Sequence, residues 1–138
     1  MTDIDLAAIK AERARLEAAY ITPDRPPTSA RGIHHTALIC SDVEETIKFY
    51  QGVLEFPLTE IFENRDYAGS NHFFFDIGHG NLLAFFDFPG LDVGPYAEVL
   101  GGLHHCAISV DPARWDALVQ RLELIRDPLG DMYGTAVL

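Results

Sequence analysis

Positive charge is scarce in this chain. Lys and Arg number 10 against 21 Asp and Glu, for a formal net charge of −11 and a pI near 4.7. Binding to phosphates requires clustered cations that displace counterions, so the composition excludes nucleic acid and an anionic membrane surface as partners. Long apolar runs are missing too. No stretch reaches the ~18 residues of a spanning helix, and the N-terminus lacks the basic and apolar regions of a secretory signal. Cysteine is nearly absent. Cys40 and Cys106 are the only two, and nothing in the sequence supports a disulfide between them. Two buried free thiols in a cytoplasmic protein are expected. What is present is a chain of 138 residues, 48% hydrophobic, with a mean hydropathy of +0.04. That is enough for one domain with a packed core.

The chain says one phrase twice. Residues 32–38 read Gly-Ile-His-His-Thr-Ala-Leu and residues 102–108 read Gly-Leu-His-His-Cys-Ala-Ile, without a gap. Four of the six histidines, His34, His35, His104 and His105, lie in these phrases. Rare residues repeated in register indicate two copies of one module, each opening with a strand that carries histidine to a shared site.

Ahead of the first phrase, Asp3 to Tyr20 predicts a helix capped by Thr2 or Asp3, with Leu6, Ile9, Ala14, Leu16 and Tyr20 at helical spacing. Three prolines between Ile21 and Gly32 mark a linker. Residues 1–31 are thus an N-terminal helix and linker outside the repeat, packing on the core or on a second subunit. Module one spans 32–89. Ile33–Cys40 predicts a strand, and Ser41-Asp42 caps a helix running to about Leu54. Aromatic and β-branched content then predicts strands at Phe56–Glu63, Asn71–Ile77 and Leu82–Phe88. His79-Gly80-Asn81 forms the turn between the last two, with Gly80 or Asn81 at positive φ.

Module two, residues 102–138, starts alike. Leu103–Val110 predicts a strand, and Asp111-Pro112 opens a helix with the apolar stripe Trp115, Leu118, Val119 and Leu122. Then the chain runs short. Module one uses residues 55–88 for its three strands, and 122–138 is half that length. The preferred expectation is an internal segment missing near 121–122, which makes Leu122-Glu123-Leu124-Ile125 the last strand of the module. The alternative aligns Leu122–Leu124 with Leu54-Glu55-Phe56 at a helix end.

A His-bearing first strand, an Asp-capped helix with Phe49-Tyr50-x-x-x-Leu54, three strands, and then a second such start resemble the vicinal oxygen chelate superfamily. That superfamily includes glyoxalase I, bleomycin and fosfomycin resistance proteins, epimerases and extradiol dioxygenases. The resemblance covers about Arg31 to Ile125. It implies an α+β fold in which two βαβββ modules pair their curved sheets around a metal cleft. The metal is held by side chains from the first and last strand of each module. Strand alternation selects among the paired histidines. His104 shares a face with the apolar Cys106, Ile108 and Val110, which should pack on helices. His105 shares the other face with Ala107 and Ser109, so His105, and by register His35, are the cleft histidines. The position in module one's last strand falls on Ala84, which cannot ligate. Glu123 resembles the family's last-strand glutamate.

The resemblance therefore implies a metal set of His35, His105 and Glu123, which favours Fe(II), with Mn, Zn, Ni or Co as the alternatives. His72 and Tyr133 are candidate proton-transfer residues. Phe85, Phe86 and Phe88 are expected as core and cavity wall, favouring a hydrophobic or aromatic small-molecule substrate. The function implied is an extradiol-type dioxygenase acting on a small diol or enediol. A glyoxalase- or epimerase-like lyase or isomerase, or a non-enzymatic ligand-binding protein, are the alternatives. A homodimer is also implied by the resemblance.

Overall fold

The computed structural model describes residues 5–24, 27–95, 97 and 99–125. Contacts divide the chain into two units, residues 1–32 and 33–138.

The first unit holds helix α1, Leu6–Tyr20. Its cap is Asp5, whose carboxylate accepts the Ala8 N–H at 3.0 Å. The expected caps Thr2 and Asp3 lie outside the described residues. None of the apolar residues of α1 is buried.

The second unit begins with β1, His35–Ile39, followed by α2, Val43–Ile47, which continues as a π-helical turn, Lys48–Val53. As the sequence predicts, Asp42 caps α2 by accepting the Glu45 N–H at 2.9 Å. Strands β2 (Leu58–Glu63), β3 (Asn71–Asp76) and β4 (Leu82–Phe86) complete a four-stranded sheet in the order β1-β4-β3-β2. β1 runs parallel to β4, and the other pairs are antiparallel. This is the βαβββ module expected for residues 32–89. The β3–β4 turn places Gly80 at positive φ as predicted, together with His79 at +54° and Gly78.

The core lies on one face of the sheet. Phe73, Phe75, Leu83 and Phe85 are buried, and Leu38, Val43, Ile47 and Tyr50 pack against them. Aromatic pairs bind this layer together. The Tyr50 ring lies 4.9 Å from that of Phe85 and 5.3 Å from that of Phe75, distances at which aromatic pairs attract beyond simple burial.

The second module departs from expectation at two places. Residues 103–110 are not a strand. β1 is a strand because β4 returns beside it, and among the described residues no strand follows to pair with 103–110. Ile108 and Val110 are half-buried, and Ile108 packs on the core of module one. Cys106 and His104 are exposed rather than packed on helices. Pro112 opens α3 as predicted, but α3 runs to Ile125, so Leu122–Ile125 is its last turn and not a strand. The helical spacing of Leu118, Val119 and Leu122 extends through that turn. Leu118 is buried, and Val119 and Leu122 are half-buried. Of the two thiols, both free, Cys40 is half-buried and Cys106 is exposed.

Glu55 ties α3 to the end of the π-helical turn. Its φ of +62° is a left-handed conformation usually given to glycine after a helix. Its carboxylate pairs with Arg114 and, at 2.6 Å, with Arg121. Arg121 also donates to the Val53 carbonyl at 3.3 Å. Glu55→Ala keeps the left-handed cost and loses both partly exposed pairs, so it should lower stability by about 1–2 kcal/mol. Glu55→Gly loses the same pairs but removes the backbone cost, so its urea midpoint should lie above that of the alanine variant. Equal midpoints would show that the turn stores no strain.

Candidate active site

Strand register defines the second face of the sheet. His35, Ala37 and Ile39 of β1 lie opposite Leu82, Ala84 and Phe86 of β4. Phe74 and His72 of β3 lie opposite Ala84 and Phe86, and Phe62 of β2 lies opposite His72. None of these residues belongs to the cluster that packs under α2. They form the open face of the module, on which His35, Ala37, Ile39 and Phe62 are exposed while Phe74 and Ala84 at its centre are buried beneath the surrounding side chains.

The alternation of Asn71-His72-Phe73-Phe74-Phe75 produces this arrangement. Phe73 and Phe75 point into the core, while His72 and Phe74 point to the open face. Ala37 and Ala84 face each other at its centre, and their small side chains leave the surrounding rings room to converge. His72 stacks on Phe86 with centroids 3.7 Å apart and planes 21° apart. Phe74 lies 4.3 Å from His72, and Phe62 lies 5.4 Å from it, edge-on. His35 reaches in from β1, with its ring 5.7 Å from Phe74 and 6.5 Å from His72. Phe88 extends the stack beyond Phe86 at 6.0 Å. Of the three phenylalanines expected as core and wall, Phe85 is core, and Phe86 and Phe88 belong to the stack that begins at His72. Phe62 and Phe74 are wall residues that the sequence reading missed, although same-face spacing from His72 to Phe74 would have found one of them.

His72 is the chemically unusual residue. Its Nε2 is buried and, among the described residues, has no hydrogen-bond partner. A buried nitrogen left unpaired costs about 1–3 kcal/mol, so such groups call for a reason. Burial pushes its pKa below the ordinary imidazole value, and the nearby charge of His35 pushes it the same way. His72 is therefore neutral at pH 7, and can accept or donate one proton without starting from a charged state.

The paired histidines differ from strict alternation. His34 precedes β1, and its ring turns back so that its Nδ1 lies 2.9 Å from that of His35. His104 and His105 repeat the contact at 2.8 Å. His105 is exposed in the segment before α3, and Glu123 is exposed on the last turn of α3. Tyr133 lies outside the described residues. Among the described residues, no three His, Cys, Asp or Glu side chains come together to hold a metal. The set His35, His105 and Glu123 is thus not assembled here.

The fold is a βαβββ module with a curved sheet, α2 against one face and histidines on the other. A profile of the Glyoxalase/Bleomycin resistance protein/Dioxygenase superfamily matches residues 32–137, and the chain belongs to that superfamily. Among solved structures, a glyoxalase family protein from Enterococcus faecalis is 24% identical with a TM-score of 0.54, covering 68% of this chain and 71% of its own. The fosfomycin resistance protein FosX from Mesorhizobium loti is 22% identical with a TM-score of 0.48, over 69% of this chain and 70% of its own. FosX from Listeria monocytogenes, in a complex with Mn(II) and 1S,2S-dihydroxypropylphosphonic acid, is 19% identical with a TM-score of 0.47, over 68% and 70%. The first likeness is one of fold, and what the other proteins bind is a property of theirs. A search of curated proteins found no match. Among the described residues, no helix is long and apolar enough to cross a membrane.

Proposed function

We propose that this protein is an enzyme of the vicinal oxygen chelate type whose open sheet face binds a small aromatic diol or enediol, with extradiol-type ring cleavage as its reaction. The observation that carries this reading is the unpaired Nε2 of His72, set among Phe62, Phe74 and Phe86 beside His35. Flat aromatic side chains favour a flat ligand, through stacking and burial of its ring. A neutral imidazole supplies the one polar function such a ligand needs, a partner for a hydroxyl. His72 accepts the hydroxyl proton as charge develops on the oxygen, and His35 lies within reach of the same ligand. In ring cleavage of this kind a redox-active divalent metal, Fe(II) first among the candidates, supplies the activation of dioxygen. A cytoplasmic homodimer acting on a small molecule belongs to the same reading.

Oxygen consumption by the Fe(II)-supplemented protein with simple catechols, together with the absorbance of a ring-opened product, tests the reaction. Turnover of an enediol substrate under strict anaerobiosis would replace it with the isomerase or lyase reading. Tight catechol binding without turnover would make the protein a ligand carrier.

A pH dependence follows from His72. Its folded-state pKa is depressed, so the neutral, proton-accepting form persists below the usual ~6.5. The acid limb of kcat/KM should therefore fall below that value. Stability carries the matching sign. The unfolded chain takes up the His72 proton first, so this contribution is lost as pH falls from about 6.5 towards the folded pKa. An acid limb at or above 6.5 would show that His72 is not the group that must be neutral.

A further inference from the structure

The open face carries a carboxylate at its β2 edge. Glu60 lies opposite Phe74 in the strand register, and Phe62, two residues on, lies opposite His72. Residues two apart on a strand share a face, so Glu60 stands beside Phe62 on the face that holds His72. A β-bulge puts it there. Leu58 pairs with Phe75, and an unbroken ladder would set Thr59 opposite Phe74. The shift between Leu58 and Glu60 sets Glu60 there instead. Bulges re-aim side chains in this way and gather near functional sites. The Thr59 hydroxyl donates to the Phe74 carbonyl at 3.2 Å and so ties the bulge to β3. Glu60 is exposed, and among the described residues its carboxylate has no hydrogen bond or ion pair.

The described cations of the second unit are already paired. Lys48 binds Glu44 and Glu45 on α2, Arg65 binds Asp66, and Arg114 and Arg121 bind Glu55. None of them belongs to the strands that build the open face. Asp76, at the far end of β3 on the same face, is engaged by its own turn, where it accepts the Gly78 N–H at 2.7 Å. A ligand on this face therefore meets rings, two imidazoles and one free carboxylate, and no positive side chain among the described residues.

We propose that Glu60 is the specificity-determining residue of the open face and selects an aromatic ring that carries a protonated amine on a short arm. This rests on the reading of that face as an aromatic-ligand site and names the class of aromatic it takes. The ring stacks with its hydroxyl towards His72, and the ammonium donates to the Glu60 carboxylate. His72 and Glu60 are diagonal neighbours on adjacent strands, a relation that separates side chains by about 7–8 Å, and an arylethylamine spans that distance from hydroxyl to nitrogen. The exposed Phe62 ring beside Glu60 adds a cation–π contact to the same ammonium. An anionic arm is repelled by Glu60 and finds no cation to pair with.

The test is calorimetric binding to the full-length protein, without added metal and under anaerobic conditions, of three catechols that differ only in the arm: aminoethyl, ethyl or carboxymethyl. The aminoethyl compound should bind about 3- to 10-fold more tightly than the ethyl compound, the scale of an exposed ion pair with a cation–π contact, and the carboxymethyl compound more weakly than either. The preference should shrink at high salt. Glu60→Gln should erase it, and Glu60→Lys should reverse the order of the two charged arms. Glu44→Gln removes the same charge from α2, which packs on the opposite face, and should leave the preference intact, separating Glu60 from the net charge of −11. Equal affinity for the three arms, or a preference that survives Glu60→Gln, would overturn the proposal, while binding of the ethyl compound would leave the aromatic site standing. Failure of all three to bind would remove both.

Discussion

Phe75→Ala should lower stability by about 3–5 kcal/mol, which is most of what a small domain has. Phe75 is 0% exposed. It packs against Tyr50 at 5.3 Å, Phe73 at 5.8 Å and Phe85 at 5.9 Å, and its neighbours across the strands are Leu58 and Leu83. These contacts come from the π-helical turn, from β2, from β4 and from β3 itself, so the cavity cannot close by moving one element. Chemical denaturation should show either a midpoint lowered in proportion or a protein unfolded in buffer. Ile39→Ala is the internal comparison. Ile39 is in the same sheet but 56% exposed on the open face, and its loss should cost well under 1 kcal/mol. Similar losses for the two would mean that the core does not lie under α2.

His72→Phe should move stability and activity in opposite directions. A phenyl ring keeps the stack on Phe86 and Phe74 and removes the orphaned nitrogen, so stability at pH 7 should rise by about 1 kcal/mol. The proton acceptor is gone, so kcat/KM should fall by about 10²- to 10⁴-fold. The variant should also lose the stability decrease between neutral and mildly acid pH that His72 imposes. A residue that merely fills space on the sheet would show neither the activity loss nor the changed pH profile. This opposition is the mark of a group kept for function at a cost to the fold.

The fold of module one was legible because its signals are local. Asp42 caps α2 and the aromatic run marks β3, and each depends on a few neighbouring residues, as does Pro112 at the start of α3 in module two. The second module was not legible for the opposite reason. A strand is stable only against a partner, and the phrase at 103–108 carries the same residues as 32–38 without a returning strand beside it among the described residues. Repetition in sequence copied the side chains and not the pairing. Leu122–Ile125 shows the same competition. Leu-Glu-Leu-Ile alternates like a strand, but the apolar spacing from Leu118 onward is helical and the helix continues through it. The superfamily and the histidines were visible in the doubled phrase. The pairing of His34 with His35 was not, because alternation assigns neighbours to opposite faces only where both lie within the strand, and His34 precedes it.

The central claim is that the open face, with His72 at its centre, is where the ligand sits. Long-range nitrogen NMR of the histidine rings during a catechol titration tests it most directly. The account predicts a saturable shift of the His72 Nε2 resonance, with smaller shifts for His35 and for the ring protons of Phe62, Phe74 and Phe86. An unmoved His72 at saturating catechol, or saturable shifts confined to the helix-covered face or to α1, would contradict it.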